Sequence, residues 1–100
     1  MSPMESSSDD ARLFFPATQR NVHAIGDVLA DALPAGGLIL ELASGSGEHG
    51  VAFQHRFPRI TWQCSDPDPD HCRSISSWIA HAGLTSAMPQ PLALDVCEPD

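Results

Sequence analysis

At its centre the 100-residue sequence reads Ile39-Leu40-Glu41-Leu42-Ala43-Ser44-Gly45-Ser46-Gly47-Glu48-His49-Gly50. An apolar run ends in an acid, passes through small residues and glycines, and then enters a segment suited to a helix. Gly45, Gly47 and Gly50 have the spacing G-x-G-x-x-G, in which glycines let backbone N–H groups approach a ligand closely at a helix N-terminus. Because the motif lies between a strand and a helix, it predicts a ligand-binding loop at the tip of the first strand.

Three helices are predicted from apolar spacing and from proline and glycine signals. The second runs from near Glu48 to before Pro58, and the third starts at Pro69, a residue that suits a first helical turn, and ends at Gly83. The first helix has apolar residues on one face: Val22, Ile25, Val28, Leu29, Ala32 and Leu33.

Three strands alternate with these helices. Leu38–Leu42 is a nearly unbroken apolar run, typical of a strand buried on both faces of a parallel sheet, and Ile60–Ser65 and Leu92–Val96 are the second and third strands. The order predicts an α/β fold, a Rossmann-like doubly wound parallel sheet truncated after the third strand of a 3-2-1-4-5 order. We therefore expect an incomplete fragment, inactive alone, whose open first-strand edge favours self-association.

Residues 1–13 are predicted to be a disordered tail and residues 14–100 the N-terminal half of the Rossmann-like domain.

Composition and charge exclude several classes of protein. The start lacks the features of a secretion signal, and no apolar run approaches the roughly 20 residues that span a bilayer. A net charge of −8 disfavours nucleic-acid binding, and three irregularly spaced cysteines suit a cytoplasmic protein with reduced thiols.

The charges around the loop indicate which ligand it binds. Glu41 ends the strand and Glu48 opens the helix, with no Lys or Arg between Leu38 and Gln54. A pyrophosphate would face two carboxylates there, which is costly in a partly dry cleft. S-adenosylmethionine carries a sulfonium and an ammonium, so Glu41 is expected to face that cationic end, directly or through water. The alternative is that Glu41 only caps the strand end or forms a salt bridge there.

Two more acids follow the other strands. Asp66 lies 19 residues after Gly47, where a carboxylate typically binds the hydroxyls of a ribose. Asp68 and Asp70 are expected to cap the next helix. Asp95 ends the third strand, where a carboxylate can accept from an adenine amino group, although an ordinary turn aspartate explains it equally well.

No metal site is predicted, because the spacing of Cys64, His71, Cys72 and His49 fits no zinc knuckle. No partner base marks a cysteine nucleophile, so no catalytic residue is assigned.

The motifs together resemble those of class I S-adenosylmethionine-dependent methyltransferases, and more narrowly the small, poorly characterised methyltransferase-like 26 family. The segments that carry the resemblance are Phe15-Pro16-Ala17 with Arg20-Asn21, Leu42 to His49, Trp62 to Asp66, Gly83-Leu84-Thr85 and Leu94-Asp95-Val96. The resemblance implies that Glu41, Ala43, Gly45 and Gly47 line the methionine side, that Asp66 binds the ribose and that Asp95 binds the adenine. Ala43 stands where many of these enzymes have glycine. Arg20 and Asn21 either reach over the ligand or form a solvated helix face.

The sequence therefore predicts a methyltransferase-like protein with S-adenosylmethionine as cofactor and a small molecule or protein as methyl acceptor. Two alternatives remain open. One is an NAD(P)-dependent oxidoreductase that uses the same glycine geometry. The other is a non-catalytic α/β module for binding or dimerisation.

Overall fold

Helices and parallel strands alternate along residues 10–95, the part of the chain that this computed structural model describes. They are α1 (Pro16–Ala32), β1 (Gly37–Glu41), α2 (Glu48–Arg56), β2 (Ile60–Cys64) and α3 (Pro69–His81). The predicted α/β class and the alternation of elements are confirmed. The predicted end of the third strand at Val96 lies outside the described residues.

The sheet has two parallel strands, β1 and β2, and an isolated bridge adds to β2. On one side β1 pairs with β2 in a register that runs from Gly37 opposite Ile60 to Glu41 opposite Cys64. On the other side Leu92 forms a parallel bridge with Ser65. The Leu92 N–H donates to the Cys64 carbonyl at 3.1 Å, and the Asp66 N–H donates to the Leu92 carbonyl at 3.0 Å. Of the predicted third strand, the described residues form only this short parallel pairing around Leu92. It lies next to β2, where the predicted strand order places the third strand.

Prolines and a side-chain cap set the helix starts. Pro16 and Pro69 lie in the first turns of α1 and α3, where the missing N–H leaves no hydrogen bond unmade. Asp68 is the N-cap of α3 and accepts from the Asp70 N–H at 2.8 Å. The expectation that Asp70 also caps α3 is wrong, because its carboxylate forms an ion pair with Arg73 instead.

The core lies between β2 and the helices. Alternate residues of β2 are buried, and they pack on the inner faces of α2 and α3. The buried apolar residues are Val51, Phe53, Ile60, Trp62, Cys64, Ile75, Ile79 and Met88. Apolar burial of this kind is the main stabilising contribution to a small domain.

The prediction that β1 is buried on both faces is wrong for the described residues. Leu38, Leu40 and Leu42 are 69%, 49% and 50% exposed, whereas Ile39 packs against the core. Core helices contact one face of the sheet only, so the alternate side chains of β1 face away from them.

The apolar face of α1 is narrower than its spacing predicts. Val22, Leu29 and Leu33 pack against the core, but Ile25 and Val28 are 39% and 68% exposed. None of the helices in residues 10–95 combines the length and apolar character that crossing a bilayer requires.

The chain just before α1 lies along α3. The Leu13 N–H donates to Ser74 Oγ at 2.8 Å, and Trp78 Nε1–H donates to the Leu13 carbonyl at 2.9 Å. Residues 10–13, which the sequence analysis assigned to a disordered tail, therefore include residues that contact α3. The rest of that predicted tail, residues 1–9, lies outside the described residues.

Candidate functional site

The loop between β1 and α2 turns through left-handed backbone. Gly45 has a φ of +64° and Gly47 a φ of +93°, and Ala43 adopts a φ of +53° although it carries a Cβ. Glycine reaches this region without strain, whereas an alanine there costs roughly 1–2 kcal/mol. Ala43 thus takes the conformation that favours glycine, the residue that many of the resembled enzymes have at this position.

The three glycines of the motif have distinct tasks. Gly47 packs on α3 so closely that an added Cβ would lie 2.9 Å from the Ile75 Cα. A Cβ on Gly50 would clash with the Cys64 sulfur, so Gly50 lets α2 approach the sheet. Gly45 donates its N–H to Asp66 Oδ2 at 2.9 Å. Glycines at this spacing therefore allow both the left-handed turn and the close packing of α2 and α3 around the loop.

Asp66 joins the loop to the second strand tip. Its Oδ2 accepts from Gly45, and its Oδ1 accepts from the Asp68 N–H at 2.9 Å and from His71 Nδ1 at 3.1 Å. The residue is only 4% exposed. Burial alone would raise the pKa of Asp66, but the hydrogen bonds from Asp68, Gly45 and His71 outweigh burial and hold the pKa below its ordinary value.

Glu41 reaches under α2 rather than over the loop. Trp62 Nε1–H donates to Glu41 Oε1 at 3.1 Å, and the Cys64 thiol donates to the same oxygen at 3.6 Å. Burial, and then the Glu41 charge, raise the pKa of the Cys64 thiol to about 12. Cys64 therefore remains a protonated donor. Glu41 thus accepts hydrogen bonds from Trp62 and Cys64 at the end of β1. Neither of these two donors is a cation, so these contacts are not salt bridges.

Glu48 is bound by the chain that precedes α1. Its Oε1 accepts from the Phe15 N–H at 2.7 Å and from Ser46 Oγ at 2.8 Å, and its Oε2 accepts from Gln19 Nε2 at 3.1 Å. Phe15 is the N-cap residue of α1. The carboxylate thus fastens the start of α1 to the start of α2 beside the glycine loop.

An aromatic ring and an imidazole border the same loop. A Cβ on Gly45 would lie 3.4 Å from the Phe15 ring, and that ring meets the His71 ring edge-on at 6.0 Å. The sequence analysis named His71 only when it weighed a metal site, and assigned no ligand-binding role to it. Its spacing of three from the helix cap Asp68 is the signal that could have placed it here, because such side chains share one turn.

The remaining predicted site residue, Asp95, lies at the same edge of the sheet. The preceding Leu94 N–H donates to the Asp66 carbonyl at 3.3 Å, so Asp95 follows directly after the described pairing. All six predicted site residues, Glu41, Ala43, Gly45, Gly47, Asp66 and Asp95, therefore occur at the carboxyl edge of the strands. In residues 10–95 no three His, Cys, Asp or Glu side chains are arranged to hold a metal ion.

Two of the arginines are paired away from the glycine loop. Arg56 pairs with Asp27 at 2.8 Å near the far end of α2, and the Arg12 guanidinium lies 4.9 Å from the centre of the Trp78 ring. Neither contact brings a cation to the glycine loop. The described surroundings of the loop are dominated by carboxylates.

One family of proteins is described by a sequence model that matches residues 12–100. The match includes every element of the described fold, together with the glycine loop and the acids after β2 and Leu94. The description that accompanies the model is "Protein of unknown function (DUF938)", which assigns no activity. Because the match covers most of its length, this chain belongs to the DUF938 family.

Proposed function

We propose that this protein is an S-adenosylmethionine-dependent methyltransferase-like protein with a Rossmann-like fold, which binds its cofactor at the loop between β1 and α2. The observation that carries the proposal is the Gly45–Asp66 hydrogen bond of 2.9 Å. It ties a left-handed glycine turn to the acid at the tip of the neighbouring parallel strand. Ligands of open parallel sheets bind at this edge.

Charge supports this cofactor over a dinucleotide. Glu41, Glu48 and Asp66 surround the loop, and each accepts hydrogen bonds from the protein. A nearby carboxylate stabilises a cation and repels a pyrophosphate. S-adenosylmethionine would supply an electrophilic methyl group on a sulfonium that suits these surroundings.

The proposal gives individual groups of the protein specific roles in binding the cofactor. The N-terminal end of α2 adjoins the loop, and a helix N-terminus suits the carboxylate of the methionine part. Glu41 contributes negative charge at the end of β1, from beneath α2, which would favour the cationic end of the ligand in this part of the protein. Asp95 remains the candidate for the adenine amino group. Methyl transfer needs alignment of donor and acceptor more than a dedicated base, and the acceptor is proposed to be a small molecule or a protein.

Calorimetry tests the proposal directly. We expect the protein to bind S-adenosylmethionine and S-adenosylhomocysteine with micromolar affinity and NAD at least about tenfold more weakly, which corresponds to roughly 1.4 kcal/mol. Tight binding of NAD with no response to either sulfur ligand would favour the oxidoreductase alternative and overturn the proposal.

A second candidate, self-association, is favoured by the leucine face of β1. Leu38 is 69% exposed, and in the described residues β1 has a hydrogen-bonded neighbour on one side only. Such an edge is a template for pairing with a second copy. Sedimentation should then show a dimer that Leu38→Lys dissociates, while Val28→Lys, at an α1 residue that is 68% exposed, leaves it intact. A monomeric wild-type protein would rule this candidate out.

A further inference from the structure

Asp66 has little capacity left for a ligand. A carboxylate offers about four acceptor positions, and Gly45, Asp68 and His71 already occupy three of those on Asp66. Its side chain is only 6% exposed. Two ribose hydroxyls would have to displace a protein donor, and the glycine loop or the start of α3 would lose its support.

Two neighbouring polar side chains are accessible instead. The Asp68 side chain is 47% exposed and that of His71 is 30% exposed. Their Oδ2 and Nε2 atoms lie 3.7 Å apart, too far for a hydrogen bond between them. Because Nδ1 of His71 faces the Asp66 carboxylate, Nδ1 donates in that contact and Nε2 is left to meet a ligand hydroxyl.

We infer that Asp68 and His71, rather than Asp66, recognise the ribose diol of the cofactor. One hydroxyl donates to Asp68 Oδ2 and its neighbour forms a hydrogen bond with His71 Nε2, so the two neighbouring side chains match the two hydroxyls of a vicinal diol. Asp66 is a positioning residue that orients the imidazole and holds the Gly45 turn. This inference rests on the proposed function, since it names the ribose contacts of that same site.

Two conservative variants test the assignment. Asp68→Ser retains an oxygen that can cap α3 and removes the second carboxylate oxygen. His71→Asn retains an N–H donor for Asp66 and removes Nε2. The matched controls are Asp70→Ser, an exposed acid on the same turn, and His81→Asn, an exposed histidine at the end of the same helix.

The readout is calorimetric affinity for S-adenosylhomocysteine and for its 2′-deoxy analogue, with thermal unfolding measured for every variant. We expect the wild-type protein to prefer the full ribose by about tenfold, the size of a hydrogen bond to a charged group. Asp68→Ser and His71→Asn should each bind S-adenosylhomocysteine about tenfold more weakly, and the variant that lacks the partner of the 2′-hydroxyl should also lose most of this preference. Both controls should retain it.

The outcomes separate the inference from the proposed function. If the wild-type protein binds S-adenosylhomocysteine and both variants keep its affinity and its preference for the full ribose, this inference is overturned and the proposed function stands. If the wild-type protein binds neither ligand, the proposed function fails and the ribose assignment fails with it.

Discussion

Replacing Gly47 by alanine tests whether the fold itself requires a glycine in the loop. Two costs add at this residue. Its φ of +93° places an alanine in the left-handed region, which costs roughly 1–2 kcal/mol. The new Cβ would also lie 2.9 Å from the Cα of Ile75, and Ile75 is fully buried.

The steric cost is the larger of the two. A backbone atom of α3 cannot move aside as a flexible side chain can, so the contact must be relieved by shifting the loop or the helix. Overpacking of this kind costs typically about 1–3 kcal/mol. The sum is a loss of about 2–5 kcal/mol from a stability that for most domains is only about 5–15 kcal/mol.

Urea denaturation followed by tryptophan fluorescence measures the loss, since Trp62 is buried in the core. Gly83→Ala is the matched control, because Gly83 has a φ of +71° and no atom within 4 Å of an added Cβ. It should lose only the dihedral cost, about 1–2 kcal/mol. Equal losses in the two variants would refute the argument that contact with Ile75 requires a glycine at residue 47.

Three further predictions follow from the same contacts. Ala43→Gly should raise the free energy of unfolding by about 0–1.5 kcal/mol, because it relieves roughly 1–2 kcal/mol of strain at a φ of +53° and loses the ~0.4–1 kcal/mol by which glycine stabilises the unfolded chain. A urea midpoint lower than that of the wild-type protein would contradict this. Because the pKa of Asp66 is lower in the folded state than in the unfolded chain, its contribution is complete above about pH 4 and is lost as the pH falls through the folded-state pKa. The acid-induced loss of stability should therefore be smaller in Asp66→Asn than in the wild-type protein, and identical pH profiles would argue against it. Cys64, with a pKa raised to about 12 and no exposed surface, should resist alkylation at pH 8 until the protein unfolds, whereas the half-buried Cys72 should react more readily. Both thiols lie in the tryptic peptide Ile60–Arg73, so fragmentation of that peptide by tandem mass spectrometry assigns the modified cysteine.

Much of the local structure could be predicted from the sequence. Pro69 and Gly83 mark the limits of α3, and the glycine spacing predicts the strand–turn–helix that the structure contains. These signals are local, because they depend on the backbone freedom of single residues and on apolar spacing within one element. The predicted site residues were found together for a related reason: parallel strands end at one edge of their sheet, so acids that follow such strands lie near one another.

Partners far apart in the sequence could not be predicted in this way. Glu48 binds the backbone of Phe15, 33 residues earlier in the chain, and no spacing rule connects them. Gln54 donates from its side chain to the Ile60 carbonyl at 2.6 Å and accepts from the Trp62 N–H at 2.7 Å. Gln54 thereby provides hydrogen-bond partners for the backbone of β2 at Ile60 and Trp62, which residues 92–94 do not reach. The sequence offered no signal for this task.

The sequence alone therefore determined the α/β order, the helix limits and the glycine turn, because each depends on neighbouring residues and on the conformations open to them. Only the tertiary structure decided how the charged groups are used. Asp66 is already bound by three protein donors, and His71 presents an exposed Nε2 beside Asp68. It also decided which face of β1 is covered, since Leu38 is exposed and Ile39 packs on the core. Hydrogen-bond saturation and burial depend on which distant segments meet, and that is settled only when the chain has folded.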